Sequence, residues 1–377
     1  MKDRLEAIPN KETYNSSALT AVYIPKNIIT NQDLAEFLDQ KGIRTGSESR
    51  ITAEGIEAVT GIRERHWCVG LGDSPLNRAL MVPQMATEAA LGVLSNNGWL
   101  QVDSLFACTS FPYKKSLSFE VAKNIRKDLG IDVENTMPDI YAECTSPIWA
   151  LHYIRVNDDV YYGKNILIVC SEYLSPISDD INLSLPSDCA SALGFTNGRD
   201  LDVLGSAVKY FPKLKHMIRV SIKREYIPEE GSLFFFDIEE PRDKGPDGEE
   251  QYGFDMHYGE IEGPSVLKWA LHKDTLPPII DEALEIAKLE PADITHVIPH
   301  QANGRITEGL IRLLPRLGIN AEVFSNIAKH GNTGSVSAFL GLHEASLDQK
   351  KIGKGDKILF LGFGAGATAG AAIIGIN

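Results

Sequence analysis

The sequence predicts an α/β protein made of two similar halves, and three observations carry that expectation. Short, β-rich apolar runs alternate with amphipathic stretches along the chain. The runs are apolar enough to be buried on both faces, as in the centre of a largely parallel sheet. Finally, 377 residues exceed what one such unit needs. Hydrophobic residues at 43% and charged ones at 23% exclude a disordered or fibrous chain.

Strands are expected at residues 104–108, 166–170, 296–299 and 357–361, and helices at 82–94, 145–156, 276–288 and 303–317. The expected division is 1–200 for the first half and 201–377 for the second. Residues of about 205–263 break the rhythm. They carry Lys213, Lys215, Arg219, Lys223 and Arg224, then Leu233, Phe234, Phe235 and Phe236, then an acidic, turn-rich segment at 239–248. This is an insertion, read either as a lid between the halves or as a merely solvated excursion.

The net charge of −14, from 37 Lys and Arg against 51 Asp and Glu, argues against nucleic-acid binding through a general positive field. An acidic partner would have to meet a local basic patch. No run approaches the roughly 18 apolar residues that span a bilayer. Met1, Lys2, Asp3, Arg4, Leu5 and Glu6 lack the apolar core of a signal peptide, so a cytoplasmic protein is expected. The five cysteines, Cys68, Cys108, Cys144, Cys170 and Cys189, form no C-x-x-C pair and are odd in number. Neither a disulfide framework nor a zinc site is indicated, no metal or cofactor is expected, and most of the cysteines read as small buried hydrophobes.

Four segments hold residues suited to chemistry. At 138–151 a short strand, 138–142, runs into a helix whose first turn holds Ser146 and Pro147, so Cys144 sits at the junction. Unpaired N–H groups and the positive helix end favour a thiolate there, although a lone Cys in an apolar stretch is more often filler. At 298–306 another strand runs into a helix, and His300 can point into the cleft beyond the sheet edge or serve as a structural histidine. At 329–338, Gly331 and Gly334 permit close backbone approach and Asn332 offers a fixed amide, with a helix cap as the alternative. The glycine-rich stretch 361–370 follows a strand, but only Ala371 to Asn377 come after it, too few for a dinucleotide-binding βαβ unit. A tight turn presenting backbone N–H groups to a reacting carbonyl explains it better.

Taken in order, these segments resemble the thiolase-fold condensing enzymes, most closely the β-ketoacyl-acyl-carrier-protein synthase III family. The matching residues are Cys144 at its junction; Pro299, His300, Gln301, Ala302 and Asn303 followed by Arg305; His330, Gly331, Asn332, Thr333 and Gly334; and Gly362, Phe363, Gly364, Ala365 and Gly366. Thr60, Gly61, Ile62, Arg63, Glu64 and Arg65 near the front, and Ser187, Asp188, Cys189, Ala190, Ser191 and Ala192 at mid-chain, are also similar to family signatures. The resemblance runs from about Ala21 to the end.

The resemblance implies a five-layer α-β-α-β-α sandwich of two pseudo-repeated halves and a homodimeric acyltransferase. It implies that Cys144 takes an acyl group from a thioester, that His300 and Asn332 hold the second thioester and stabilise its enolate, and that the backbone N–H groups of Cys144 and Ala365 form an oxyanion hole. Arg305 and Lys268 match positions that dock the acyl carrier protein. Where the family grips coenzyme A with a Trp and an Arg, this chain has Gly55 and Val59, which favours carrier-bound donors. Glu143, directly before the nucleophile, is an accessory candidate: an extra base for a β-ketoacyl substrate, or, as favoured here, a side chain pointing away from the cleft. With the insertion, these departures imply a specialised polyketide- or fatty-acid-type biosynthesis. The expected reaction is condensation, decarboxylative or not, with a malonyl- or β-ketoacyl-thioester. Alternatives are acyl transfer to an alcohol or amine, ring formation from two acyl chains, and a non-catalytic subunit of a heterodimer.

Overall fold

The computed structural model describes residues 19–44, 49–74, 76, 78–110, 120–137, 139–175, 183–211, 263–347, 352–364 and 367–377. Its strands are β1 (Thr20–Tyr23), β2 (Asn27–Thr30), β3 (Glu64–Trp67), β4 (Gln101–Cys108), β5 (Asp132–Thr136), β6 (Asn165–Glu172) and β7 (Cys189–Thr196), then β8 (Leu201–Tyr210), β9 (His296–Pro299), β10 (Glu322–Val323), β11 (Lys357–Gly364) and β12 (Thr368–Ile376). One sheet has the order β1-β7-β6-β4-β5 and the other β8-β12-β11-β9-β10, while β2 and β3 form a separate hairpin sheet.

Numbering the five strands of each sheet by their own chain order gives the same sequence, 1-5-4-2-3, in both. The directions match as well: β1-β7 and β7-β6 are antiparallel and β6-β4 and β4-β5 parallel, just as β8-β12 and β12-β11 are antiparallel and β11-β9 and β9-β10 parallel. The protein is therefore a doubled unit. Its sheets are mixed rather than largely parallel, because the chain-consecutive strands β6-β7 and β11-β12 pair antiparallel.

Between the sheets lie the helices Ser146–Val156 and Ser337–Leu347, whose buried Ile148, Leu151, Phe339 and Leu342 join Phe106 and Ile168 of one sheet to Phe360 and Ile374 of the other in one core. Arg78–Asn97 and Glu120–Leu129 cover the outer face of the first sheet, and Leu276–Ala287 and Gly304–Leu313 that of the second. The order helix, sheet, helix, sheet, helix is the five-layer sandwich the resemblance implies. Most of both middle helices is buried, as packing between two sheets demands, with Arg155 and Glu344 as partly buried polar exceptions.

Three sequence expectations are corrected. Residues 205–210 belong to β8 rather than to the insertion, since Gly205 to Val208 pair with β12; residues 212–262 lie outside the described residues. The strand expected at 138–142 does not form among the described residues 139–142, where Ile140 bridges Cys108 of β4; Pro138 lies outside the described residues. The helix expected at 303–317 ends at Leu313 and continues as the tighter turn Leu314–Leu317, because Pro315 has no N–H to extend the α-helical ladder. No described helix is long and apolar enough to cross a membrane.

Candidate active site

The nucleophile junction is built by a backbone reversal and small hydroxyls. The extended segment is fixed to β4 by Ile140 N–H to Ala107 O (2.7 Å) and Thr109 N–H to Ile140 O (3.2 Å). At Glu143 the chain turns with φ of 51°, left-handed and strained for a residue with a side chain, and enters the turn Glu143–Thr145 and the helix Ser146–Val156. The hydroxyl of Ser146 accepts from Ala142 N–H (2.9 Å) and donates to Glu143 O (2.7 Å), and Thr145 Oγ1 donates to Ala142 O (2.5 Å). Cys144 stays partly exposed at this elbow. A Cβ on Gly364 would lie 3.3 Å from Cys144 N and Cβ, and one on Gly362 would lie 2.6 Å from Ile148 Cδ1. The glycines ending β11 thus let that strand lie flush against the elbow.

His300 follows β9 and is buried, its Nδ1 2.8 Å from Ser337 Oγ and its ring edge-on to Phe363 at 5.4 Å. Asn332 is fixed on three sides. Its N–H donates to Leu185 O (2.8 Å), its carbonyl accepts from Ser187 N–H (2.8 Å), and its side-chain oxygen accepts from Gly334 N–H (2.9 Å). The last bond commits Oδ1 to the backbone and leaves the NH2 group as the donor. Gly334, at φ of 57°, links the two residues: its N–H holds Asn332 while its carbonyl accepts from Ser337 Oγ at 3.0 Å. The turn Gly334–Val336 packs on Glu143–Thr145, so Cys144, His300 and Asn332, named separately from sequence, belong to one neighbourhood.

The electrostatics correct one expectation. Burial pushes the Cys144 thiol well above its ordinary range, and the charges of Glu143 and Glu172 push it further; a backbone hydrogen bond only partly offsets them. Helix-start N–H groups do not outweigh desolvation and two carboxylates, so the resting group is the thiol. Burial lowers His300 to about 3, partly opposed by a hydrogen bond to the backbone of Gly334, which keeps the imidazole neutral.

Glu143, adjacent to Cys144 in the chain, is buried, and its charge raises the thiol. Ala365 lies outside the described residues. Half-exposed Arg305 pairs with Glu308 at 3.1 Å and also reaches Ala58 O. Lys268 is exposed on Gly263–Ala270, whose neighbour Leu271 packs at Gly309 of the helix bearing Arg305. Other motif residues are scaffold: Gln301 donates to Pro299 O (2.9 Å), and Asn303 caps the helix Gly304–Leu313 by accepting from Arg305 N–H (2.8 Å). Buried Arg65, lowered to about 10 by desolvation, donates to Ser184 O (3.0 Å), and Ser187 Oγ accepts from His66 N–H (2.8 Å). These bonds brace the loop that grips Asn332. Sequence reading missed Glu172 and Ser110; the available signal was position, since both stand at or beyond the carboxyl ends of adjacent parallel strands. Among the described residues no His, Cys, Asp and Glu group is arranged to hold a metal.

Comparison with known proteins finds relatives over nearly the whole chain. Residues 284–376 match the family model for the C-terminal part of 3-oxoacyl-[acyl-carrier-protein] synthase III. A β-ketoacyl-[acyl-carrier-protein] synthase III of Fusobacterium nucleatum is 30% identical over 363 residues, covering 93% of this chain and 95% of that protein. The solved 3-oxoacyl-[acyl-carrier-protein] synthase III of Aquifex aeolicus is similar at a TM-score of 0.70 and 27% identity, covering 95% of this chain and 98% of the other. The priming β-ketosynthase of the R1128 polyketide pathway shares the fold at a TM-score of 0.71 and 23% identity, covering 96% of each chain.

Proposed function

The chain belongs to the β-ketoacyl-[acyl-carrier-protein] synthase III family, and on that premise we propose that it is a condensing acyltransferase working through an acyl group on Cys144. The observation that carries the reading is the gathering of one thiol with two neutral groups suited to an enolate oxygen, the Asn332 amide and the His300 ring. Neutral donors stabilise a developing oxyanion without trapping it as a fixed cation would.

The Cys144 sulfur attacks a donor thioester, a C–S bond forms as the donor's C–S bond breaks, and the thiol proton leaves with the departing thiol. Because Cys144 rests as a thiol, that proton needs an acceptor. Ser337 Oγ lies within reach of both Gly334 O and His300 Nδ1, which allows two arrangements. When the hydroxyl donates to Gly334 O it accepts from Nδ1–H, and Nε2 has a lone pair for the proton. When it donates to Nδ1, Nε2 carries hydrogen and can donate to an enolate. The second substrate, a malonyl- or β-ketoacyl-thioester, loses carbon dioxide or a proton; its enolate carbon attacks the Cys144 acyl carbon and releases the sulfur. Ala365 N–H is proposed as a second donor beside Cys144 N–H during acyl transfer.

Glu143, buried at the elbow, stays an accessory candidate: a base for a β-ketoacyl substrate, or a side chain turned away from the cleft. Carrier-bound donors are favoured, since the family's nucleotide-gripping positions are Gly55 and a 68% exposed Val59. Arg305 and Lys268, on adjoining helices, are the proposed docking cations within a homodimer, and a specialised biosynthetic role is part of the same proposal. Charge reversal at either should raise KM for carrier substrates alone; an unchanged KM would sink the docking role. To test the reaction, purified protein is given acyl-carrier and malonyl-carrier. Carbon dioxide release with a carbon–carbon-bonded product supports condensation, whereas transfer to an alcohol or amine with no carbon dioxide favours the acyltransferase alternative.

A further inference from the structure

A fully buried carboxylate at the base of the site has no part in the chemistry above. Glu172 ends β6, and its Oε1 alone accepts four hydrogen bonds: from Ser110 N–H (2.8 Å) and Oγ (2.7 Å), and from Ser335 N–H (3.2 Å) and Oγ (2.5 Å). Ser110 stands two residues beyond β4 in the first half, while Ser335 sits in the turn Gly334–Val336 of the second. One oxygen therefore joins the halves at the point where their site residues meet. An oxygen receiving four donors is occupied as an acceptor, so it is a poor base and a good anchor.

The anchored turn is the one that orients both proposed enolate-binding residues. A Cβ on Gly334 would lie 3.1 Å from Glu172 Cγ and Cδ, so only glycine lets the turn rest on this side chain undisturbed. From that seat, Gly334 N–H holds Asn332 Oδ1 and Gly334 O holds Ser337, which contacts His300. The same turn also packs against Glu143–Thr145. We propose that Glu172 is a positioning residue that clamps the Asn332–Ser337 turn against the Cys144 elbow and sets a negative charge behind the nucleophile.

The proposal rests on the condensation reading for one assay and is independent of it for the other. Glu172→Gln keeps the volume and an acceptor oxygen but removes the charge, whereas Glu172→Ala removes the clamp. In the Ala variant the ratio of condensation kcat to Cys144 acylation rate should fall about tenfold or more, the range seen when one aligned oxyanion donor is misplaced. In the Gln variant that ratio should return to within about threefold of wild type. Separately, the pH midpoint for alkylation of Cys144 by iodoacetamide should move down in Glu172→Gln by about half a unit or more, because a nearby negative charge disfavours thiolate. An unchanged ratio in folded Glu172→Ala, or a Gln variant as impaired as Ala, would overturn the clamp. An unmoved alkylation midpoint would overturn the charge even if wild type proves not to condense, an outcome that would sink the condensation reading by itself.

Discussion

At the residue scale, the division of labour at the site makes separable predictions. His300→Ala and Asn332→Ala should lower condensation by about 10²–10³-fold, the usual cost of an oxyanion donor, and leave self-acylation less affected; single-turnover assays of the two steps check this, and equal losses would count against an enolate role. Glu143 and Cys144 give the second prediction. Burial and the neighbouring carboxylates raise the folded thiol, so thiolate is scarce at neutral pH and alkylation should accelerate as pH rises into the alkaline range. Glu143→Gln removes one of those charges and should shift the alkylation profile to lower pH, read by iodoacetamide rates; an unmoved profile would place the Glu143 charge away from the sulfur.

At the element scale, glycines mark where elements touch. A Cβ on Gly205 of β8 would sit 2.2 Å from Ala283 O and 2.7 Å from Ala287 N, both backbone atoms of the helix Leu276–Ala287. Helix or strand must move, and Gly205→Ala should cost about 1–3 kcal/mol of stability, in line with other overpacked cores. Denaturant unfolding measures this; an unchanged midpoint would contradict the close strand–helix seat. The same contact explains a boundary misread from sequence. Gly205 looked like the opening of a loop, yet it is the residue that lets β8 pass close to a helix and continue for five more residues, to Tyr210. Likewise Gly362 and Gly364, which suggest a phosphate loop in isolation, are there because β11 passes against Ile148 and Cys144.

At the scale of the whole molecule, buried imidazoles tie stability to pH. Burial lowers His66, His152, His300 and His343, with His300 at about 3 against an ordinary value of 6.5. Below 6.5 the unfolded chain binds protons that the folded chain refuses, so stability falls as pH drops from there toward about 3. Melting temperatures should decrease between about pH 7.5 and about pH 5, and His300→Gln should flatten the slope; an equal slope would contradict the buried neutral ring. Much of this architecture was legible in the chain. Strand-length apolar runs marked the central strands, the strand-to-helix junction marked where His300 sits, and the helix start marked Cys144, although the strand expected before it is only a bridge at Ile140. The matched 1-5-4-2-3 strand orders were not legible, because pairing between strands distant in sequence leaves no local pattern. Nor was Glu172, whose four donors come from residues 62 and 163 positions away. The raised thiol was misjudged for the same reason: burial and the charge of distant Glu172 are tertiary facts, while a helix start is a local one. Whether Cys144 carries the acyl group is read from intact-protein mass after incubation with acyl-carrier or acyl-coenzyme A donors. One acyl adduct is expected on the wild type and none on Cys144→Ala; an adduct that persists in that variant, or that maps to Cys108, would refute Cys144 as the nucleophile.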